Sequence, residues 1–340
     1  MSYYPNYKRT FKFAVPFSAS FTKFKQFGEC ERKYALSTYG SWDAGAAALG
    51  INIDDQIEIK RLKKIDTLDI VLGTAVHEVM AYTARKKKEG TLDIDKCTEE
   101  NIAIGIKNKY ENMKNKAIKA TEDALKGMVP GSDEKILNEL YFDNEDAKIQ
   151  QKHFQEKQIK IMNKLNQIVK GIYNSDIYNE LLSHDTEIKL IEVSKFPNIK
   201  LFDTIIYANI DLAYEFKYSK NEIIVDWKTG TPDYKNERSQ LVLYALFLAE
   251  KFYNGDYSKV SNVFYINEYL ASGKRYTHIV SEKDIIEFKE TLKYNIDILR
   301  SKLKDPDKNI PFNIIEFRKA EKDSICKCCE MRNVCGRMGE

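Results

Sequence analysis

The stretch "IIVDWKTG", residues 223–230, decides how this chain is read. Its first three side chains are apolar and β-branched, as in a strand buried on both faces. Asp226 and Lys228 then place opposite charges where the apolar run ends. Side chains alternate along a strand, so these two project to one face and Val225 and Trp227 to the other. A buried charge is costly unless a partner or a metal compensates it. By themselves the two charges read equally well as a salt bridge at a strand end.

The segment upstream adds a second carboxylate. "ANIDLAYEF" and "NEIIVDWK" flank the polar turn "KYSKN", and with the tip at Tyr218 and Ser219 Asp211 falls opposite Asp226. Cross-strand neighbours sit about 4.5–5.5 Å apart at Cβ, close enough for two carboxylates to share one hard cation. A slip of one residue would spoil the pairing. Two carboxylates and an ammonium at one sheet edge suit hydrolysis of a phosphodiester. A divalent ion lowers the pKa of a bound water and neutralises the phosphate, while a lysine orients the water or stabilises developing charge.

Two helices can complete the set. "GTAVHEV" puts Gly73 and His77 four residues apart on one helical face, so the helix can approach the sheet at the glycine and direct the imidazole to the same edge. Imidazole suits Mn²⁺ better than Mg²⁺. A lone helix histidine is more often a packed polar residue, and Glu78 marks the solvated side. After the hairpin, Gln240 and Tyr244 form a polar i, i+4 pair on an otherwise apolar helix, placed to hold a phosphate or the lysine, or to satisfy one another.

Around this centre the chain reads as an α/β protein. "TEIKLIEVSKF", "IKLFDTIIYANIDLAYEF" and "NEIIVDWKTG" predict an antiparallel meander, followed by the helix "NERSQLVLYALFLAEKFY", the strands "KVSNVFYINEY" and "KRYTHIV", and a charged helix over 282–303. Near the start, "SASFTKFKQFGECERKYAL" predicts one helix with Ser18 or Ser20 as N-cap. "TLDIVLGTAVHEVMAYTARKKKEG" predicts another that stops at Gly90. Residues 91–184 are Lys/Glu/Asn-rich and mostly helical, interrupted at "GMVPGSDE".

Hydrophobic residues make up 43% of the 340 and charged residues 31%, a globular composition. No apolar run approaches a membrane span and the start lacks a signal-peptide pattern, so the expectation is a cytoplasmic protein without membrane partners. The 54 basic and 51 acidic residues leave +3, too little to argue for nucleic acid except through local clusters such as Lys60 to Lys64 and Arg85 to Lys88, each read first as a solvated helix face. The phosphate-loop pattern of a motor is missing, since "ASGKRYT" lacks the first glycine and the hydroxyl. Six cysteines in a reducing compartment do not suggest a disulfide framework. Four of them, Cys326, Cys328, Cys329 and Cys335, crowd the last fifteen residues, while Cys30 and Cys97 stand apart. A thiolate set can hold zinc or an iron–sulfur cluster.

The ordered set "GxxxH", an Asp at a strand end, "DWKTG" and "QLVLYA" resembles the RecB-type branch of the PD-(D/E)XK nuclease superfamily. The resemblance implies a restriction-endonuclease-like core, a central mixed β-sheet flanked by helices. It implies metal ligation by His77, Asp211 and Asp226, catalysis by Lys228, and support of the site and DNA by Gln240 and Tyr244. C-x2-C-x5-C at Cys326, Cys329 and Cys335, with distant Cys30, resembles the ligand set of the 4Fe-4S cluster in AddB-like nucleases and the CRISPR-associated exonuclease, a staple between the two ends of the chain. Zn²⁺ is the alternative there, and Cys328 the alternative to Cys329. Those families usually carry proline after the first cysteine, where Glu31 stands here. The implied organisation is an N-terminal helical part (1–90), a helical insertion (91–184), a nuclease core (185–303) and a cysteine-rich segment (304–340). The implied activity is a Mn²⁺- or Mg²⁺-dependent DNA exonuclease on single strands or ends, acting alone or with a helicase or other recombination or replication protein. The competing reading is a non-catalytic DNA-binding or assembly subunit.

Overall fold

The computed structural model describes residues 15–142, 147–191, 197–232 and 234–338. Five strands form the central sheet: β1 (Thr186–Ile191), β2 (Leu212–Phe216), β3 (Glu222–Lys228), β4 (Val263–Tyr269) and β5 (Lys274–His278). They lie in the order β5-β4-β3-β2-β1, with β3 and β4 parallel and every other pair antiparallel. A parallel pair needs a crossover, and α6 (Tyr234–Phe252) supplies it. The β2–β3 register pairs Leu212 with Val225 and Glu215 with Glu222. The same register sets Asp211 opposite Asp226.

The expected three-part meander is only partly formed. β1 pairs directly with β2, and the intervening strands Asn198–Leu201 and Thr204–Tyr207 leave the sheet, pair with each other and add Ser18–Ser20 beside Thr204–Tyr207. The cause is local: Phe202 and Asp203 both adopt positive φ, the two-residue geometry that closes a hairpin on itself. Part of "TEIKLIEVSKF" lies outside the described residues.

The predicted N-terminal helix is two helices, α1 (Phe21–Glu29) and α2 (Glu31–Tyr39), broken at an extended Cys30. Ser20 caps α1 by accepting from the Lys23 N–H, whereas Ser18 belongs to a strand. The Cys30 sulfur in turn accepts from the Lys33 N–H at 3.3 Å, so the break is itself an N-cap. Helix α3 (Leu68–Lys88) starts at a Thr67 cap and ends in four basic residues, which favour the negative end of its dipole.

Helices cover both faces of the sheet. On one, residues 241–249 of α6 are buried without interruption against Ile224 and Tyr265, with α7 (Glu282–Ser301) behind them. On the other, α3, α4 (Glu99–Leu125) and α5 (Ala147–Tyr173) share a core with Val225, Trp227 and Ile266. Asp69 at the start of α3 receives the Lys157 and Lys164 ammoniums, which tie α5 to that helix. The mixed sheet with helices on both faces fits a restriction-endonuclease-like core. Among the described residues no helix is long and apolar enough to cross a membrane.

Candidate active site

The charges of "IIVDWKTG" emerge where β3 leaves the core. Asp211 and Asp226 are 6% and 3% exposed, so the two carboxylates face each other with little solvent between them and bulk. Asp211 is held on both oxygens: Oδ2 accepts the Trp227 N–H at 2.7 Å and Oδ1 lies 3.2 Å from His77 Nδ1. Helix α3 brings the imidazole here through Gly73, where a Cβ would come within 3.0 Å of Thr229 Oγ1 at the end of the strand. Glu78 turns away and pairs with Lys109 on α4.

Asp226 is surrounded from three elements. Its Oδ2 lies 2.5 Å from Lys228 Nζ and accepts Asn267 Nδ2 at 2.9 Å, and its Oδ1 lies 3.3 Å from Tyr244 OH. Lys228 also donates to Gln240 Oε1 at 3.1 Å, Gln240 Nε2 donates to Tyr244 OH at 2.7 Å, and that hydroxyl donates to the Asn209 carbonyl at 2.5 Å. The i, i+4 pair on α6 thus touches both the lysine and the aspartate. Burial, and then repulsion from Asp211, pushes the Asp226 carboxyl up to about 6, while Lys228 and His77 pull it down.

Asn267 was not singled out from the sequence. It is fully buried, sits beside Asp226 in the parallel β3–β4 register, and has no hydrogen-bond partner for Oδ1 among the described residues. Its signal is a lone amide in the apolar strand "VFYINEY". Glu268, the next residue, faces the other side, where Ser175 Oγ at 2.5 Å and Trp227 Nε1 at 3.2 Å satisfy it.

The family profile of the PD-(D/E)XK nuclease superfamily matches residues 18–336. The chain belongs to that superfamily. A search among curated proteins finds no match.

Nucleases of this superfamily typically use Mg²⁺ or Mn²⁺. The residues at the sheet edge fit such an ion, because two buried, mutually repelling carboxylates are hard donors whose charge a cation would relieve, and the imidazole beside them adds a nitrogen donor that Mn²⁺ accepts more readily than Mg²⁺. Among the described residues no three His, Cys, Asp or Glu side chains are arranged around a common metal position. His77 pairs with Asp211 instead, and the Lys228 ammonium lies on the Asp226 oxygen that a cation would compete for.

Four of the cysteines come together where the N- and C-terminal segments meet. Cys30, Cys326, Cys329 and Cys335 line one pocket of about 200 Å³, with Lys33, Lys319 and Arg332 beside them; Cys328 is not among its walls. Burial pushes the Cys329 thiol up to about 11 and raises Cys335 as well. Four thiols around one pocket, edged by cations, fit a four-thiolate group. They too are not arranged at ligand geometry. A carboxylate ties the ends of the chain together beside them. Glu31 is buried and receives Lys302 at 2.7 Å and Arg318 Nε and NH2 at 2.7 Å, while the Arg32 N–H donates to the Arg318 carbonyl.

Proposed function

We propose that this protein is a metal-dependent DNA nuclease, acting as an exonuclease on single strands or DNA ends. The observation that carries the reading is the placement of Asp211 and Asp226 face to face beneath His77 and Lys228. His77, Asp211 and Asp226 would hold Mn²⁺ or Mg²⁺, which when bound would supply charge neutralisation at the phosphate and a more acidic water. Lys228 contacts the phosphate or orients the attacking water, with its position set by Gln240 and Tyr244. Asn267 fixes the Asp226 carboxylate from the neighbouring strand through its Nδ2.

Cys30, Cys326, Cys329 and Cys335 bind a 4Fe-4S cluster in this proposal, a structural group of the RecB-type branch, with Zn²⁺ as the competing occupant. The cysteine pocket is supported by the Glu31 pairs, which hold the two chain ends together on their own account. A helicase or another recombination or replication protein is the partner class that this activity fits.

The test is cleavage of end-labelled linear DNA beside covalently closed circular DNA, single- and double-stranded, with Mg²⁺ and with Mn²⁺. Release of labelled mononucleotides or short products from linear DNA only supports an exonuclease. Nicking of the circle shows an endonuclease. No cleavage under any of these conditions, with binding retained, favours the non-catalytic subunit.

A further inference from the structure

A groove of about 820 Å³ runs along α3 from the residue after His77. On the α3 side Glu78, Tyr82 and Lys86 recur every fourth residue, and on the α4 side Asn101, Gly105, Asn108 and Asn112 recur at i, i+4, i+7 and i+11. Tyr82 is 57% exposed, and the Lys86 ammonium stands 5.8 Å from its ring centroid. An exposed ring beside a cation on a wall of amides offers a face for stacking and donors for an anionic chain. Gly105 is not required by packing. A Cβ there would meet only Val79, at 3.8 Å, an ordinary contact, so its effect is to leave the groove open.

A second pocket, of about 500 Å³, shares Leu92 with this groove and lies at the end of α3. Three lysines border it. Lys87 donates to the Leu182 and Ser183 carbonyls, Lys88 to that of Lys189 and Lys217 to that of His184. None of the three has a carboxylate within ion-pairing distance among the described residues, in contrast to Lys86, Lys96 and Lys109, which pair with Glu89, Asp93 and Glu78. Burial, and then the neighbouring Lys217, lower the Lys87 pKa against a smaller opposing pull from Asp185.

We propose that this groove and the lysine pocket at its end form a track for a single strand of nucleic acid along the helix that carries His77. The proposal rests on the nuclease reading and extends it to a route for the substrate. From Glu78 to Lys88 the helix advances about 15 Å at about 1.5 Å per residue. At about 3.4 Å per stacked nucleotide that length spans about four phosphates. Lys87, Lys88 and Lys217 bind phosphates at the far end, and Tyr82 takes a base. A duplex has its bases paired and unavailable to Tyr82, and an acidic peptide makes no use of the aromatic face.

The experiment measures binding of the full chain to a labelled oligothymidylate long enough to reach both ends, and to a duplex of equal length, by anisotropy with EDTA present so that nothing is cleaved. Replacing Lys87, Lys88 and Lys217 together by Gln is expected to weaken single-strand binding and to reduce the salt slope by about 2, three contacts at about 0.7 each. Tyr82→Ala should weaken binding about tenfold. Gly105→Phe, which favours the helix and fills the groove, should weaken it without lowering the melting temperature. Hydrolysis of bis(p-nitrophenyl) phosphate with Mn²⁺, a diester too small to use the track, should stay at the wild-type rate in every one of these variants. Unchanged oligothymidylate affinity and salt slope in the triple variant and in Gly105→Phe would overturn the track, as would equal losses for the duplex. If the wild-type protein hydrolyses no diester at all, the nuclease reading fails, while the binding measurements still decide the track.

Discussion

The backbone N–H of Trp227 donates to Asp211 Oδ2 at 2.7 Å, so the strand that carries Asp226 and Lys228 also orients the carboxylate on the strand before it. A main-chain donor cannot rotate away as a side chain can. The hairpin therefore sets the spacing of both carboxylates before any ion or substrate is present, and the chemistry rests on register.

Lys228 is the sharpest point of attack. Lys228→Ala removes the ammonium that lies on Asp226 and the donor to Gln240, and is expected to lower kcat for DNA cleavage by about 10²–10³-fold with little change in KM. Its side chain is a quarter exposed, so the fold should survive. Single-turnover cleavage together with a thermal melt checks this; a variant that folds and retains wild-type cleavage assigns the chemistry elsewhere.

Asp226 gives a pH dependence of known sign. Its folded carboxyl titrates near 6, above its ordinary 3.8, so the folded state binds the extra proton. Its contribution to the stability of the metal-free protein is therefore full below about pH 4 and is lost as pH rises through about 6. A divalent ion opposes that loss, and the increase in melting temperature given by Mn²⁺ should grow between pH 5 and pH 7.5. Asp226→Asn should flatten the metal-free profile over this window and abolish the increase. Melts with and without Mn²⁺ across the range measure both; a Mn²⁺ effect that is the same at pH 5 and pH 7.5 contradicts the assignment.

Tyr244 acts through its neighbours. Its hydroxyl accepts from Gln240, donates to the Asn209 carbonyl and lies beside Asp226, so Tyr244→Phe leaves three polar groups short of a partner. A stability loss of about 1 kcal/mol is expected, because Asn209 is exposed and Gln240 half-buried, and Asp226 keeps Lys228 and Asn267. Activity should fall about tenfold in kcat, because Gln240 no longer holds Lys228 as firmly. Denaturant unfolding with steady-state kinetics separates the two effects, and a change in KM alone would argue against a positioning role.

Much of this site was legible in the sequence for a physical reason. A strand has a period of two and a hairpin has one register for a given tip, so the pairing of Asp211 with Asp226 followed from the turn "KYSKN". The helix contributions followed likewise from i, i+4 spacing at Gly73 and His77 and at Gln240 and Tyr244. Partners brought in by a crossover carry no such local signal. Asn267 lies 41 positions from Asp226, and only the parallel pairing of β3 with β4 makes them neighbours. The departure of residues 198–207 from the sheet was illegible because "IKLFDTIIY" has the alternation of any strand pair. Its partner, Ser18–Ser20, lies far away at the N-terminal end. The break at Cys30 was hidden because "FGECERKYAL" keeps helical spacing through it.

The cysteine pocket separates its four thiols from the fifth nearby. Cys329→Ala or Cys335→Ala is expected to lower the iron and sulfide content of anaerobically purified protein, its melting temperature and its DNA binding, whereas Cys328→Ala should leave all three unchanged. Metal analysis decides between iron–sulfur and zinc in the same preparation. Equal loss in Cys328→Ala would move the ligand to that position.

Glu31 tests whether the chain ends are held together without the cysteines. Burial alone would raise its pKa, but hydrogen bonds from Lys302 and Arg318 outweigh burial and hold the carboxyl below its ordinary value of 4.5. Because the folded value is the lower one, the contribution to stability is present above about 4.5 and is lost as pH falls through the folded value. Arg318 is largely exposed and solvent screens that pair, so Glu31→Gln should cost about 1–2 kcal/mol at pH 7, below the range for a fully buried pair. At pH 3 the same substitution should cost less, since below the ordinary value of 4.5 the unfolded carboxyl binds a proton that the folded one resists. Urea unfolding of both proteins at the two pH values measures the difference. Equal costs at pH 7 and pH 3 would mean that the shape of the side chain, and not its charge, joins α2 to the C-terminal segment.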